Sequence, residues 1–321
     1  MSRRGWLLFA ALCLIWGIPY LLIKVAVTDL SPATLVLART AIGAALLLPL
    51  AAVRGQLRPL RARWGALLLY TVVEICLPWY LLFRAEQRLS SALTGLLIAV
   101  VPLMGALIAR FSGTRERLEP RRLVGLLVGL AGVATLVTVD VGSADRAAVG
   151  LVGLVALGYA VGPVILDRRL ADLPGLGVVA GSLGLASLLS LPFGLAAAPT
   201  RWPSAPVLAA VAALAVVCTA LAFLLFFQLI SEIGPARATV ITYVNPAVAV
   251  ALGVGVLGES FTTSTAVGFT LILGGSVLGT YRRPPLGRPL QPALGPRDLL
   301  PWPERTHRRS VGTGDTPGGA P

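Results

Sequence analysis

"SSALTGLLIAVVPLMGALIARFSGTRERLEPRRLVGLLVGLAGV" (90–133) and "GPARATVITYVNPAVAVALGVGVLGESFTTSTAVGFTLILGGSV" (234–277) carry one pattern twice, at an offset near 144. Ala92 aligns with Ala236 and Pro102 with Pro246; after a one-residue slip Glu116 meets Glu259, Gly125 meets Gly268 and Gly132 meets Gly275. Upstream, "WGIP" (16–19) faces "VGPV" (161–164). Each copy contains apolar runs of the length that crosses a ~30 Å hydrocarbon layer as a helix. The repeated unit, read outward from these landmarks, is five such spans.

The whole chain agrees with a membrane setting. Of 321 residues, 56% are hydrophobic and 13% are charged, where soluble chains carry about 25% charged residues. Ten spans are expected, near 6–24, 33–53, 64–83, 89–109, 122–139, 148–166, 175–195, 207–229, 237–257 and 264–281. After Tyr281 the composition turns to Pro, Gly and Arg, which predicts a disordered basic tail over 282–321. The fold class is therefore all-α integral membrane: ten transmembrane helices as two inverted five-helix repeats. The domains are 1–140, 141–281 and the cytoplasmic tail.

Charge sets the orientation. The net charge of +13 does not mark a nucleic-acid partner, because the arginines sit in short loops and the tail. With the N-terminus cytoplasmic, fourteen arginines outside the tail fall on the inner side, against Lys24, Arg84, Arg88, Arg146 and Arg201 on the outer side. That bias puts both termini in the cytoplasm and the protein, multi-pass, in the cytoplasmic (inner) membrane of a cell. An odd-numbered unit repeated once must enter from opposite sides. The basic 110–122 loop and its counterpart "GESFTTST", which has no basic residue, agree. Inverted repeats around a midplane site are the usual plan of secondary transporters. "SRRGWLLFAALCLIWG" (2–17) also resembles a twin-arginine signal, but no A-x-A site follows, so it reads as a retained first span.

These landmarks resemble the EamA-type branch of the drug/metabolite transporter superfamily. The resemblance rests on Trp16-Gly17, Lys24, Pro32 and Arg39, and on the mid-span proline followed by glutamate and spaced glycines in both halves. It implies a carrier of small metabolites or drugs, with a chamber built from spans 1, 3, 4, 6, 8 and 9. Glu74 is a departure, since the family pattern does not demand it.

Candidate residues follow from what lipid forbids. A proline inside a helix leaves the carbonyl four residues earlier without its donor. Pro78, Pro102, Pro163 and Pro246 do this to Glu74, Ile98, Tyr159 and Thr242. Broken backbone belongs inside a bundle or on a wet cavity; kinking for packing alone is the alternative. Glu74 has nine uncharged residues on each side. An ionised carboxylate facing lipid costs at least ~2.5 kcal/mol, so it should point inward, to a cation, a solute or a coupling proton. Tyr70, Thr71 and Pro78 share its helix face. Arg39, about 9 Å into its span, can reach toward Glu74, brace the bundle or snorkel outward, and Lys24 can snorkel or contact solute. Tyr243 and Asn245, with Thr239 and Thr242 a turn back, form either a binding face or inter-helix glue. Trp16, Trp79, Tyr80 and Tyr159 suit an aromatic-lined pocket, though Trp79 and Tyr80 also suit an interfacial belt. Glu116 and Glu259, at span ends, read as caps or partners in loop salt bridges.

No catalytic residue, cofactor or metal site is expected. Cys13, Cys76 and Cys218 match no metal or redox spacing, His307 lies in the tail, and no G-x-x-x-x-G-K-[ST] motif is present to use ATP. The expected function is a secondary transporter of a small organic metabolite or drug working by alternating access. Its partners are the solute and the lipid bilayer, with a coupling proton and a homodimer left open. An intramembrane enzyme and a non-transporting assembly or sensor protein are the rival readings.

Overall fold

The computed structural model describes residues 2–111, 120–139, 145–233, 238 and 241–280. The tail (282–321), the centre of the basic 110–122 loop with Glu116, and Thr239 lie outside the described residues. The described residues form helices and no strands. We label them α1 (Arg3–Ala26), α2 (Pro32–Val53), α3 (Arg58–Glu86), α4 (Ser91–Ile98 and Val101–Phe111), α5 (Pro120–Val139), α6 (Arg146–Leu170), α7 (Gly175–Ala196), α8 (Ala205–Ile233), α9 (Ile241–Leu257) and α10 (Thr263–Thr280). Six of them, α1, α2, α3, α6, α7 and α8, are long and apolar enough to cross a bilayer; α4, α5, α9 and α10 contain shorter apolar helices.

Helix is the form that satisfies every main-chain group within a segment, as a hydrocarbon setting requires. Polar side chains inside the helices follow the same rule. Thr40, Thr71 and Ser190 hydroxyls donate to the carbonyls of Val36, Leu67 and Ala186, four residues back. The starts are capped: Ser31 accepts from Thr34 N–H with Pro32 at the first helical position, and Ser90 accepts from Leu93 N–H.

The most extensive packing joins α5 to α10 and α2 to α7. Glycines let α5 and α10 touch backbone to backbone. A methyl built on Gly275 would lie 2.4 Å from Gly129 N, and one on Gly132 would lie 2.9 Å from Gly268 O. Low numbers on one helix meet high numbers on the other, so the pair is antiparallel. The same holds for α2 and α7, where Thr34 Oγ1 at the start of α2 donates to Gly194 O (3.0 Å) near the end of α7. It holds again for α4 and α9, where Gly95 abuts Ala249 and Ser91 abuts Gly253.

Five of the described helices are broken or carry a π-helical turn. α1 turns at Ile18, where Pro19 has no N–H to give Ile15. α4 turns at 99–100, just before Pro102, and Ser276 Oγ of α10 donates to the buried Ala99 carbonyl at 2.9 Å. α3, α6 and α8 each contain a π-helical turn, Thr71–Cys76, Leu166–Leu170 and Val216–Leu221, a wide turn frequent at functional sites.

Candidate functional site

The broken helices converge on a cavity of about 380 Å³. Its wall draws on α1, α3, α4, α6, α8 and α9, with Arg39 from α2 and Val179 from α7. Of the sequence-derived candidates, Trp16, Tyr70, Glu74, Trp79, Tyr159, Thr242 and Asn245 line it, as do Pro102, Pro163 and Pro246. Tyr80 does not; it is an exposed side chain on α3. Tyr243 is partly buried and off the wall. Pro78 is also off the wall, packed where a methyl on Gly158 would meet its ring at 2.7 Å.

Glu74 is placed by the π-turn of α3. Leu77 N–H reaches back five residues to Val72 O, and Pro78 has no N–H to offer Val73 or Glu74. The Glu74 side chain lies flat on Gly162 of α6: a methyl there would sit 1.8 Å from Oε2. That oxygen is buried and has no hydrogen-bond partner.

Arg39 is not paired with Glu74. Its Nε donates to Thr219 Oγ1 at 3.0 Å, and its guanidinium carbon lies 3.8 Å over the Trp79 ring. Thr219 in turn donates to Leu214 O at 2.8 Å, the carbonyl five residues back that the α8 π-turn exposes. Arg39 thus bridges the π-turn of α8 to the aromatic wall of α3 as a desolvated cation–π contact. Lys24 does not line the cavity. Its Nζ donates to Glu86 O (2.8 Å) and Leu89 O (2.7 Å), capping the end of α3. Of the two readings its position allowed, Glu259 acts as a cap. Its two carboxylate oxygens accept from Ser91 N–H (2.7 Å) and Ala92 N–H (2.9 Å) at the start of α4.

Among the wall residues that were not site candidates from the sequence are Tyr20, Phe223 and Cys218. The 144 offset could have found Phe223, because it takes Trp79 to that position; Trp16 packs against Phe223 with centroids 6.1 Å apart. Cys218 is the counterpart of Glu74 by the same offset. Asn245, with its amide turned to match its surroundings, donates to Ile241 O (3.1 Å) and Cys13 O (3.2 Å), tying α9 to α1.

The chain is similar to proteins named as transporters. The protein is 30% identical over 288 residues to an uncharacterized inner membrane transporter, YedA of Escherichia coli K12, covering 88% of this chain and 91% of that protein. It is 26% identical over 280 residues to an uncharacterized transporter, YvbV of Bacillus subtilis, covering 85% and 90% of the two chains. A solved protein crystal structure aligns with a TM-score of 0.64 at 25% identity, over 87% of this chain and 98% of its own. The pattern of the EamA-like transporter family matches residues 3–138 and again residues 146–281. This multi-pass membrane protein belongs to the EamA-like transporter family.

Proposed function

We propose that the protein is a secondary transporter that carries a small organic metabolite or drug across the cytoplasmic membrane by alternating access. Residues 1–140 and 141–281 are two five-helix halves of opposite orientation that rock about the cavity, with both termini and the 282–321 tail in the cytoplasm. The observation that carries this reading is the cavity itself. Glu74 is aimed into a wall that takes residues from both halves, including the offset-related pairs Pro102/Pro246, Trp79/Phe223 and Glu74/Cys218.

Further support comes from packing. Helices that correspond by the 144 offset, α2 with α7, α4 with α9 and α5 with α10, lie antiparallel against one another, as inverted copies around a shared axis require. The family pattern matches once in each half. A volume of about 380 Å³ is at the small end of ligand pockets. Its aromatic wall suits an apolar body, and Glu74 suits a cationic or hydrogen-donating group. The coupling ion in this reading is a proton carried on Glu74.

The test is a thermal-shift screen of the purified protein with amino acids, nucleosides, sugars and cationic drugs. A solute that binds the folded state alone raises Tm; it should then exchange across liposomes containing the protein. Turnover of a lipid without movement of any solute would refute the reading.

A further inference from the structure

A second buried carboxylate lies behind the cavity wall, where α3 meets α4. Glu86, in the last turn of α3, is 0% exposed, and neither of its carboxylate oxygens has a hydrogen-bond partner. Its chain neighbours Phe83, Ala85 and Leu89 belong to the apolar cores on either side. The main-chain oxygen of the same residue is well served, since Lys24 Nζ donates to it and to Leu89 O. The charged and titratable groups around Glu86 are Lys24 and Tyr20 of α1, Arg39 of α2, Tyr159 of α6 and Glu259 of the α9–α10 connection. Glu259 is committed to the start of α4, and Arg39 to Thr219 and Trp79.

An ionised carboxylate without a donor in such surroundings is costly. A metal ion would need a shell of oxygens and would be repelled by the Lys24 ammonium. A proton needs neither shell nor space. We propose that Glu86 is a proton-binding site separate from the solute cavity, and that its proton decides which group Lys24 holds. With the proton on, the carboxyl is neutral and Lys24 stays on the two carbonyls, as in this structure. When the proton leaves to water, the new anion competes with those carbonyls for the ammonium. Lys24 follows the break in α1 at Ile18, next to Ile23 and one turn from Tyr20, both on the cavity wall. Proton release at Glu86 therefore shifts that wall without contact with the solute.

The test is acid-minus-alkaline infrared difference spectroscopy on the full-length protein in liposomes, with isotope-labelled glutamate to assign carboxyl bands. The expected result is a protonated-carboxyl band that is lost in Glu86→Gln and kept in Glu74→Gln, with a titration midpoint displaced by Lys24→Met. If Glu86→Gln does not fold, Lys24→Met decides alone: a midpoint that does not move overturns the proposal. So does a Glu86→Gln spectrum that keeps every band, or a band that answers sodium at constant pH instead of protons. None of these readouts depends on knowing the solute, so failure here is distinct from failure of the transport reading.

Discussion

Single side chains in this protein are set by what their neighbours leave out. Glu74 can lie flat because Gly162 has no side chain. Two predictions follow from that contact. Glu74→Gln should abolish or strongly alter pH-dependent flux while expression and Tm hold; unchanged flux and pH profile would make the residue structural only. Gly162→Ala should reproduce the flux defect by displacing the carboxylate. Its own effect on helix stability should stay within about 1 kcal/mol, because alanine favours helix over glycine by that amount. Flux in liposomes and thermal unfolding, measured on the same preparations, separate the two contributions.

At the scale of helices, close approach and end-capping hold the pieces in place. Gly275→Leu would drive a side chain into the α5 backbone at Gly125 and Gly129. Overpacking of this kind costs about 1–3 kcal/mol, so a lower Tm and lower yield are expected, with a reversal only if α5 and α10 separate freely. At the opposite extreme, Asp29 in the α1–α2 connection accepts from Ser204 N–H at 2.8 Å, pinning it to the start of α8. That bond holds the Asp29 carboxyl below its ordinary range. A depressed folded value means that the contact contributes at neutral pH and is lost as pH falls through that value. Asp29→Asn should therefore lower Tm slightly at neutral pH, where the ionised contact contributes, and leave Tm in acid little changed, so that this part of the profile of Tm against pH flattens.

For the molecule as a whole, the proposed transport cycle places all moving parts within residues 1–281. Truncation after Arg283 is expected to leave folding and flux intact, checked by size-exclusion chromatography and liposome exchange; loss of folding would show that the basic tail takes part in the bundle. The proposed inversion has its own check in tag accessibility. Tags in the 110–122 and 258–262 connections should report from opposite sides of the membrane, and the same side would end the inverted-repeat reading.

Composition and hydropathy alone determined that this is a helical membrane protein, because a lipid setting permits few other uses for so many apolar residues and so few charges. The internal offset and the proline and glycine landmarks made much of the cavity wall legible, since helix breaks are written in local sequence. Tertiary structure alone decided how the polar groups are partnered. Arg39 meets Thr219 at a separation of 180 residues, and Lys24 meets the end of α3 across more than 60. No local pattern encodes either pairing. Glu86 shows the limit most clearly: no motif or spacing singles it out, and only packing from α1, α2, α4 and α6 strips it of water. Desolvation is a property of the assembled bundle, so a chain read one residue after another cannot reveal it.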